Sequence, residues 1–393
     1  MTYWEDQSAQ DSAHGRRIRL GWRAHAGALL LVLTGSSWAA LPDFGAPAAD
    51  EMRAHFIDVG QGASILLEFS CGVALIDTGG EKNASFDSVA ALQNYLDRFF
   101  ARRPERHKTI DLLLLTHAHI DHTRGVPMVL KRYTVRSLVD NGLETGSGGP
   151  QQKTAHATAQ KSNSGLRWQG ISERSVAARE GLTSPVIDPI SCTGTDPQIS
   201  VLWGALDPRD DWKAATLKNG NDSSVVARVQ FGKASFLFPG DLEDDVQGSL
   251  VSFFTEKCSH DKPLTCPLDV DVYSVGHHGS QNGTTGPLMS ALTPRVAIIS
   301  MGPSDRREQW SAVQYGHPRI DAINKLTDGA TGVTDQRAAK VVEVANRAGS
   351  KTASDPEFSP VNMTRAVYGT GWDGTVVVTA HSNGQLRVDM ERE

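Results

Sequence analysis

Apolar residues fall in short blocks along this chain, and polar turn residues separate the blocks. That rhythm predicts many brief strands with interspersed helices. Residues 53–59 read as a strand that runs into Asp58-Val59-Gly60-Gln61-Gly62. Residues 64–69 and 73–77 read as further strands, and residues 86–100 carry apolar positions at helical spacing. Residues 110–115 form a mostly apolar run, predicted as a buried strand, and residues 122–131 open a helix. Residues 141–198 are polar and rich in Gly, Ser, Thr and Gln, and read as a long excursion with a short helix inside. A lid over a site would suit that length. Strands then recur at 199–203, 223–231, 234–238, 270–275 and 296–301, with helices at 242–254 and 317–326. Residues 375–379 and 385–390 flank Asn383-Gly384, a strong hairpin signal. Two strand-rich halves, each with helices, predict two packed sheets with helices outside. Strand-end loops would meet at one edge.

The N-terminus breaks this rhythm. Arg16, Arg17, Arg19 and Arg23 precede a short apolar core at 26–33, and Ser37-Trp38-Ala39 offers small residues for cleavage. This predicts an export signal over 1–39 and a Pro/Ala linker over 40–51. The apolar run is short for a transmembrane helix, and an uncleaved anchor is the alternative. Arg16-Arg17 is a weak match to twin-arginine export, because Arg19 interrupts the apolar continuation. The expected product is periplasmic or extracellular. Four cysteines suit an exported protein. Cys258 and Cys266 bracket a polar loop and read as partners, and Cys71 with Cys192 as a second bridge, although spacing does not fix connectivity. The net charge of −6 does not point to a nucleic-acid binder. A site metal can supply local positive charge, and Arg306, Arg307 and Arg319 could form a basic face.

The chemistry concentrates in Thr116-His117-Ala118-His119-Ile120-Asp121-His122, directly after the apolar run. His117 and His119, two apart, can face one ion, and Asp121 and His122 can serve a second. Asp241 ends the apolar stretch Phe236-Leu237-Phe238-Pro239-Gly240 and can bridge two ions, or cap the helix that follows. Gly276-His277-His278-Gly279-Ser280 follows another strand. One histidine of this pair is expected to bind metal, and the other to donate a proton or touch substrate. His317, in Tyr315-Gly316-His317-Pro318, is a further candidate, against a structural histidine at a helix start. His156 reads as structural.

Together HFIDVGQG (55–62), ALIDTGG (74–80), THAHIDH (116–122), NDSSVV (221–226), FPGD (238–241), VGHHGS (275–280) and YGHP (315–318) resemble the metallo-β-lactamase superfamily. Within it they are similar to the hydrolase domain of the ComEC (DNA-uptake competence) type. The resemblance spans roughly residues 52–330. It implies an α/β fold, an αββα sandwich of two packed mixed sheets with helices outside. It implies that His117 and His119 hold one metal, that Asp121, His122 and His277 hold the other, and that Asp241 lies between. Asp77 would shape the site from behind. His277 is preferred to His278 because glyoxalase-type members place a Gly-His at this strand end. Two divalent ions are expected, zinc first and manganese second. Asp121, His278 and His317 are the expected catalytic residues, Asp121 orienting the nucleophile and His278 serving as acid.

Three departures accompany the resemblance. Many superfamily hydrolases place another histidine before the strand that leads to the bridging Asp; residues 219–224 here contain none, and Asn221 or Asp222 would have to substitute. The run after DVGQG usually continues with Asp, here Ala63-Ser64. The family's multispan membrane part has no counterpart, so a free exported version is expected.

The expected organisation is a hydrolase domain at 52–335 and a C-terminal extension with a hairpin at 336–393. The expected activity is hydrolysis by a metal-activated water, with a phosphodiester or other ester as substrate. Nucleic acid is a candidate that net charge does not favour, and no membrane contact is expected beyond the N-terminal signal. A lactonase or β-lactamase is the alternative, and a non-catalytic metal-binding exported protein the alternative of another class. An iron oxygenase on the same scaffold is remoter.

Overall fold

The computed structural model describes residues 44–255, 266–347 and 357–392. The expected export signal, residues 40–43 of the expected linker and Cys258 lie outside these residues.

In chain order the strands are β1 (Glu51–Phe56), β2 (Ile65–Glu68), β3 (Val73–Ile76), β4 (Thr109–Leu114), β5 (Thr134–Asp140), β6 (Arg167–Gly170), β7 (Gln198–Trp203) and β8 (Val226–Phe231). They continue as β9 (Ala234–Phe238), β10 (Val272–Ser274), β11 (Val296–Ile299), β12 (Gln336–Ala345), β13 (Phe358–Arg365), β14 (Val367–Gly369), β15 (Val376–His381) and β16 (Leu386–Met390). One eight-stranded sheet has the order β16-β15-β1-β2-β3-β4-β5-β6, and a six-stranded sheet the order β14-β11-β10-β9-β8-β7. Both are mixed, and β12 with β13 forms a separate ribbon.

The run Leu112-Leu113-Leu114-Leu115 explains the layering. Leu112 and Leu114 join the core between the sheets, where Phe56 stacks on Phe238 at 6.3 Å. Leu113 and Leu115 point the other way, into a second core with Leu92, Leu96 and Phe99 of the helix Ser88–Arg102 and with Val126 and Val129 of the helix Val126–Arg132. A strand covered on both faces needs apolar residues at every position, not alternate ones. Fully burying each such leucine contributes roughly 1.5–3 kcal/mol.

Several expectations need correction. The helix predicted over 122–131 is two short helices, Ile120–Thr123 and Val126–Arg132, because Gly125 and Pro127 interrupt the turn. The excursion at 141–198 carries the expected helix, Gly149–Ala159, but also β6, which extends the first sheet beside β5. A disulfide between Cys71 and Cys192, with Cα atoms 5.4 Å apart, ties the excursion to the turn between β2 and β3. The segment after 335 is not an appendage. Its hairpin β15–β16 lies against β1, and β14 runs parallel to β11 in the other sheet. Strand pairing between chain ends cannot be read from local pattern. Among the described residues no helix is long and apolar enough to cross a membrane.

Candidate metal centre

The loops after β3, β4, β9, β10 and β11 converge at one edge of the sandwich, where strand ends leave room for a crevice. Asp77, just past β3, organises the loop after β4. Its Oδ1 accepts the Thr116 backbone N–H at 2.8 Å, and its Oδ2 accepts the Thr116 hydroxyl at 2.8 Å. Oδ2 also accepts from His122 Nδ1 at 2.7 Å. Gly79 lets the β3 loop press flat against this segment: a Cβ there would lie 1.7 Å from the Asp121 carbonyl oxygen.

Four side chains form a compact donor group: Asp121, His122, Asp241 and His278, their ligand atoms all within 4.8 Å of one another. His277 and His278 sit in a turn where both have left-handed backbone, φ +47° and +53°. Such conformations cost about 1–3 kcal/mol each and persist only where the surroundings impose them. The turn separates the two neighbours. His278 is buried, whereas the His277 side chain is 20% exposed. His278 therefore takes the place expected for His277, with Nε2 3.4 Å from Asp121 Oδ2 and 3.5 Å from Asp241 Oδ2. His277 Nε2 lies 3.9 Å from Asp241 Oδ2 and 3.5 Å from Asn221 Nδ2.

His117 and His119 form a second pair, with His117 Nε2 3.0 Å from His119 Nδ1. The His117 Nδ1 is 3.1 Å from Thr116 Oγ1, whose own hydrogen goes to Asp77. Asp241 stands between the groups: Oδ1 is 3.2 Å from His122 Nε2, and Oδ2 is 3.9 Å from His117 Nε2. Where a further histidine was noted as missing, Asn221 lines the crevice, and its buried Oδ1 has no partner among the described residues. Asp222 is buried too but does not line the crevice; burial and then Glu243 push its carboxyl up to about 7.

These residues fit divalent cations, and the test is one of donors. The His278 Nδ1 lies 2.7 Å from the Ser300 carbonyl, which only accepts, so Nδ1 carries a proton. The His122 Nδ1 is committed to Asp77 in the same way. In neutral rings both Nε2 atoms are then lone pairs, yet they face each other at 3.2 Å. That arrangement calls for positive charge between them. The titration directions agree. Burial opposes charge on His122, but Asp241 and Asp77 outweigh it and hold the ring well above the usual histidine range. Burial opposes charge on Asp241, but His122, His278 and His277 hold its carboxyl well below the usual range. A cation entering here displaces protons.

The crevice has a volume of about 280 Å³. Its wall includes Arg124, Trp310, Tyr315 and His317. Burial, then His277 and His278, keep the His317 pKa well below the usual value. Arg124 donates from Nε to the Gly80 carbonyl at 2.9 Å, and among the described residues no carboxylate forms an ion pair with it. Sequence reasoning missed this cation and favoured others. Arg306 is paired with Glu81 at 2.8 Å, and Arg319 with Asp321 at 2.8 Å. Gln61, buried beneath the crevice, was also missed, although its glycine-flanked motif marked the loop.

The profile of the family described as "Metallo-beta-lactamase superfamily" matches residues 57–302. ComE operon protein 3 of Bacillus subtilis is 27% identical over 320 residues, covering 78% of this chain and 35% of the relative. Competence protein ComA of Neisseria gonorrhoeae is 25% identical over 275 residues, covering 70% of this chain and 30% of the relative. This chain therefore spans about a third of the length of these relatives. Among solved structures, the metallo-beta-lactamase fold protein YhfI from Bacillus subtilis aligns over 63% of this chain and 85% of its own, at 12% identity and a TM-score of 0.34.

Proposed function

The chain belongs to the metallo-β-lactamase superfamily, whose members are mostly metal-dependent hydrolases, and from that premise we propose that it is a metal-dependent phosphodiesterase. The observation that carries this reading is the donor group Asp121, His122, Asp241 and His278 beside His117 and His119, opening onto a crevice that Arg124 also lines. Asp121, His122, Asp241 and His278, with His117 and His119, would hold divalent cations, zinc first and manganese second, which when bound would supply a nucleophilic water near neutral pH and neutralise developing charge. The chain's own residues do the rest. Arg124 offers its free guanidinium nitrogens to a non-bridging phosphate oxygen. Trp310 and Tyr315, with ring centroids 6.5 Å apart, flank the mouth and can pack against a substrate arm. Asp121, held ionised by His278 against the opposing effect of burial, orients the attacking water. His317 faces the same space.

The ComEC-type resemblance of the sequence motifs and the name of the relative Competence protein ComA support a nucleic-acid diester as the substrate. Residues 1–39 support export, and the Cys71–Cys192 bridge suits an oxidising compartment.

The test is turnover of bis-p-nitrophenyl phosphate, first metal-free and then with zinc or manganese. Metal-dependent release that disappears in the Asp121→Ala/His122→Ala double variant is expected. A folded, metal-loaded protein that spares every phosphodiester but opens nitrocefin or a lactone would replace this reading with carbon-ester or amide hydrolysis. Metal uptake with no turnover on either panel would leave a binding protein.

A further inference from the structure

His317 presents a question of proton placement. Its ring lies over Tyr315 in near-parallel stacking, at 5.8 Å and 24°, and it borders the crevice. Its Nδ1 is 3.1 Å from Gln61 Nε2. Its Nε2 has no hydrogen-bond partner among the described residues. Which ring nitrogen carries the proton decides whether the crevice meets a donor or an acceptor.

The neighbours of Gln61 decide it. The backbone N–H of Gly302, just past β11, points at the Gln61 carboxamide oxygen at 3.4 Å. A backbone N–H only donates, so the amide oxygen belongs on that side and the NH2 group faces His317. An amide NH2 also only donates, so Nδ1 must accept. In a neutral imidazole the proton then sits on Nε2, toward the crevice. The loop is built to hold this chain of bonds. Gln61 is 2% exposed, and its own N–H donates to Glu81 Oε2 at 3.2 Å, an oxygen that also takes the Arg306 guanidinium. Gly60, at φ +69°, lets the loop pass: a Cβ there would stand 2.6 Å from Glu81 Oε2.

We propose that Gln61 is a positioning residue, whose carboxamide fixes His317 as the Nε2–H tautomer and so makes the crevice-facing nitrogen a hydrogen-bond donor to an oxygen of the substrate ester. The catalytic part of this inference rests on the phosphodiesterase reading; the tautomer does not.

The experiment is long-range proton–nitrogen correlation NMR on the full chain labelled at histidine, with His317 assigned by its loss in His317→Gln. The native chain is expected to show a protonated Nε2 and a bare Nδ1. Gln61→Glu, nearly isosteric, offers a carboxylate and moves the proton to Nδ1. Gln61→Met removes the preference. Turnover of bis-p-nitrophenyl phosphate by both variants falls about 10- to 100-fold in kcat, with KM and metal content little changed. A merely structural glutamine would lower Tm in Gln61→Met and leave the tautomer alone; that result overturns the proposal, as does Nδ1–H in the native chain. Should Gln61→Met fail to fold, Gln61→Glu alone decides. An Nε2–H tautomer that follows Gln61 in a protein without diester turnover supports the positioning role and overturns only the phosphodiesterase reading.

Discussion

His122 and His278 each have their outer ring nitrogen tied, one to Asp77 and one to the Ser300 carbonyl, both at 2.7 Å. On the other side of Asp241 the anchoring is thinner. His117 leans on Thr116, but among the described residues His119 has no partner beyond His117, and His277 Nδ1 has no hydrogen bond, only Glu243 Oε1 at 3.4 Å. The contrast matters because an outer hydrogen bond fixes the ring, the tautomer and the basicity of a ligand. The same protein thus holds one half of its donor set preorganised, and a cation bound there would have to assemble the other half. The firm half should set affinity, and the loose half should set exchange.

The largest expected effect comes from taking the firm half apart. His278→Ala should lower metal affinity by more than the roughly 10- to 100-fold typical of losing an outer partner, and abolish turnover with it. His277→Ala, one residue away, should cost less than about 10-fold. Metal content after dialysis and isothermal titration of both variants check this. Equal losses would mean that the two halves are not different in kind.

A smaller effect, of opposite sign, is expected from closing the loose half. Asn221 lines the crevice near His277 and keeps a buried oxygen without a partner among the described residues. Asn221→His should retain the weaker cation about 10-fold longer in a chelator chase, a gain near 1.4 kcal/mol. Unchanged or faster release would show that position 221 does not face that cation.

The same contrast marks what was legible beforehand. The cluster His117 to His122 stood out because a strand buried on both faces leads straight into it, and Asp241 because an apolar strand ends there. The choice between His277 and His278 was not legible. It turns on two consecutive left-handed residues, a backbone choice imposed by packing and invisible in residue type. Arg124 was passed over for Arg306 and Arg319, since sequence shows where arginines are but not which of them carboxylates have paired. The place of β15 beside β1 was hidden for a related reason: its partner lies near the other end of the sequence, not beside it in the chain.

The smallest expected effect concerns what backs the loose half. Ser147 accepts the Ile120 N–H at 3.0 Å, and the Gly148 N–H donates to the Ala118 carbonyl at 2.8 Å, so the excursion braces the His119 loop. His156, in the helix Gly149–Ala159, pins that excursion: Nε2 is 2.7 Å from Asp140 Oδ2, and Nδ1 is 2.8 Å from Glu144 Oε1. Its ring also packs on Trp168 at 4.3 Å. Burial acts to lower the His156 pKa, but Asp140 and then Glu144 outweigh it and raise the value above 6.5. A raised folded-state pKa gives stability that is fully present below the unfolded value and is lost as pH climbs through the folded one. His156→Gln should therefore lower Tm by ~2–4 °C near pH 6, and the gap to the native chain should narrow as the medium turns alkaline. Thermal melts across that range read the effect. A gap that widens with pH would show that the neutral ring, through its packing on Trp168, and not the charged pairings, holds the excursion behind His119.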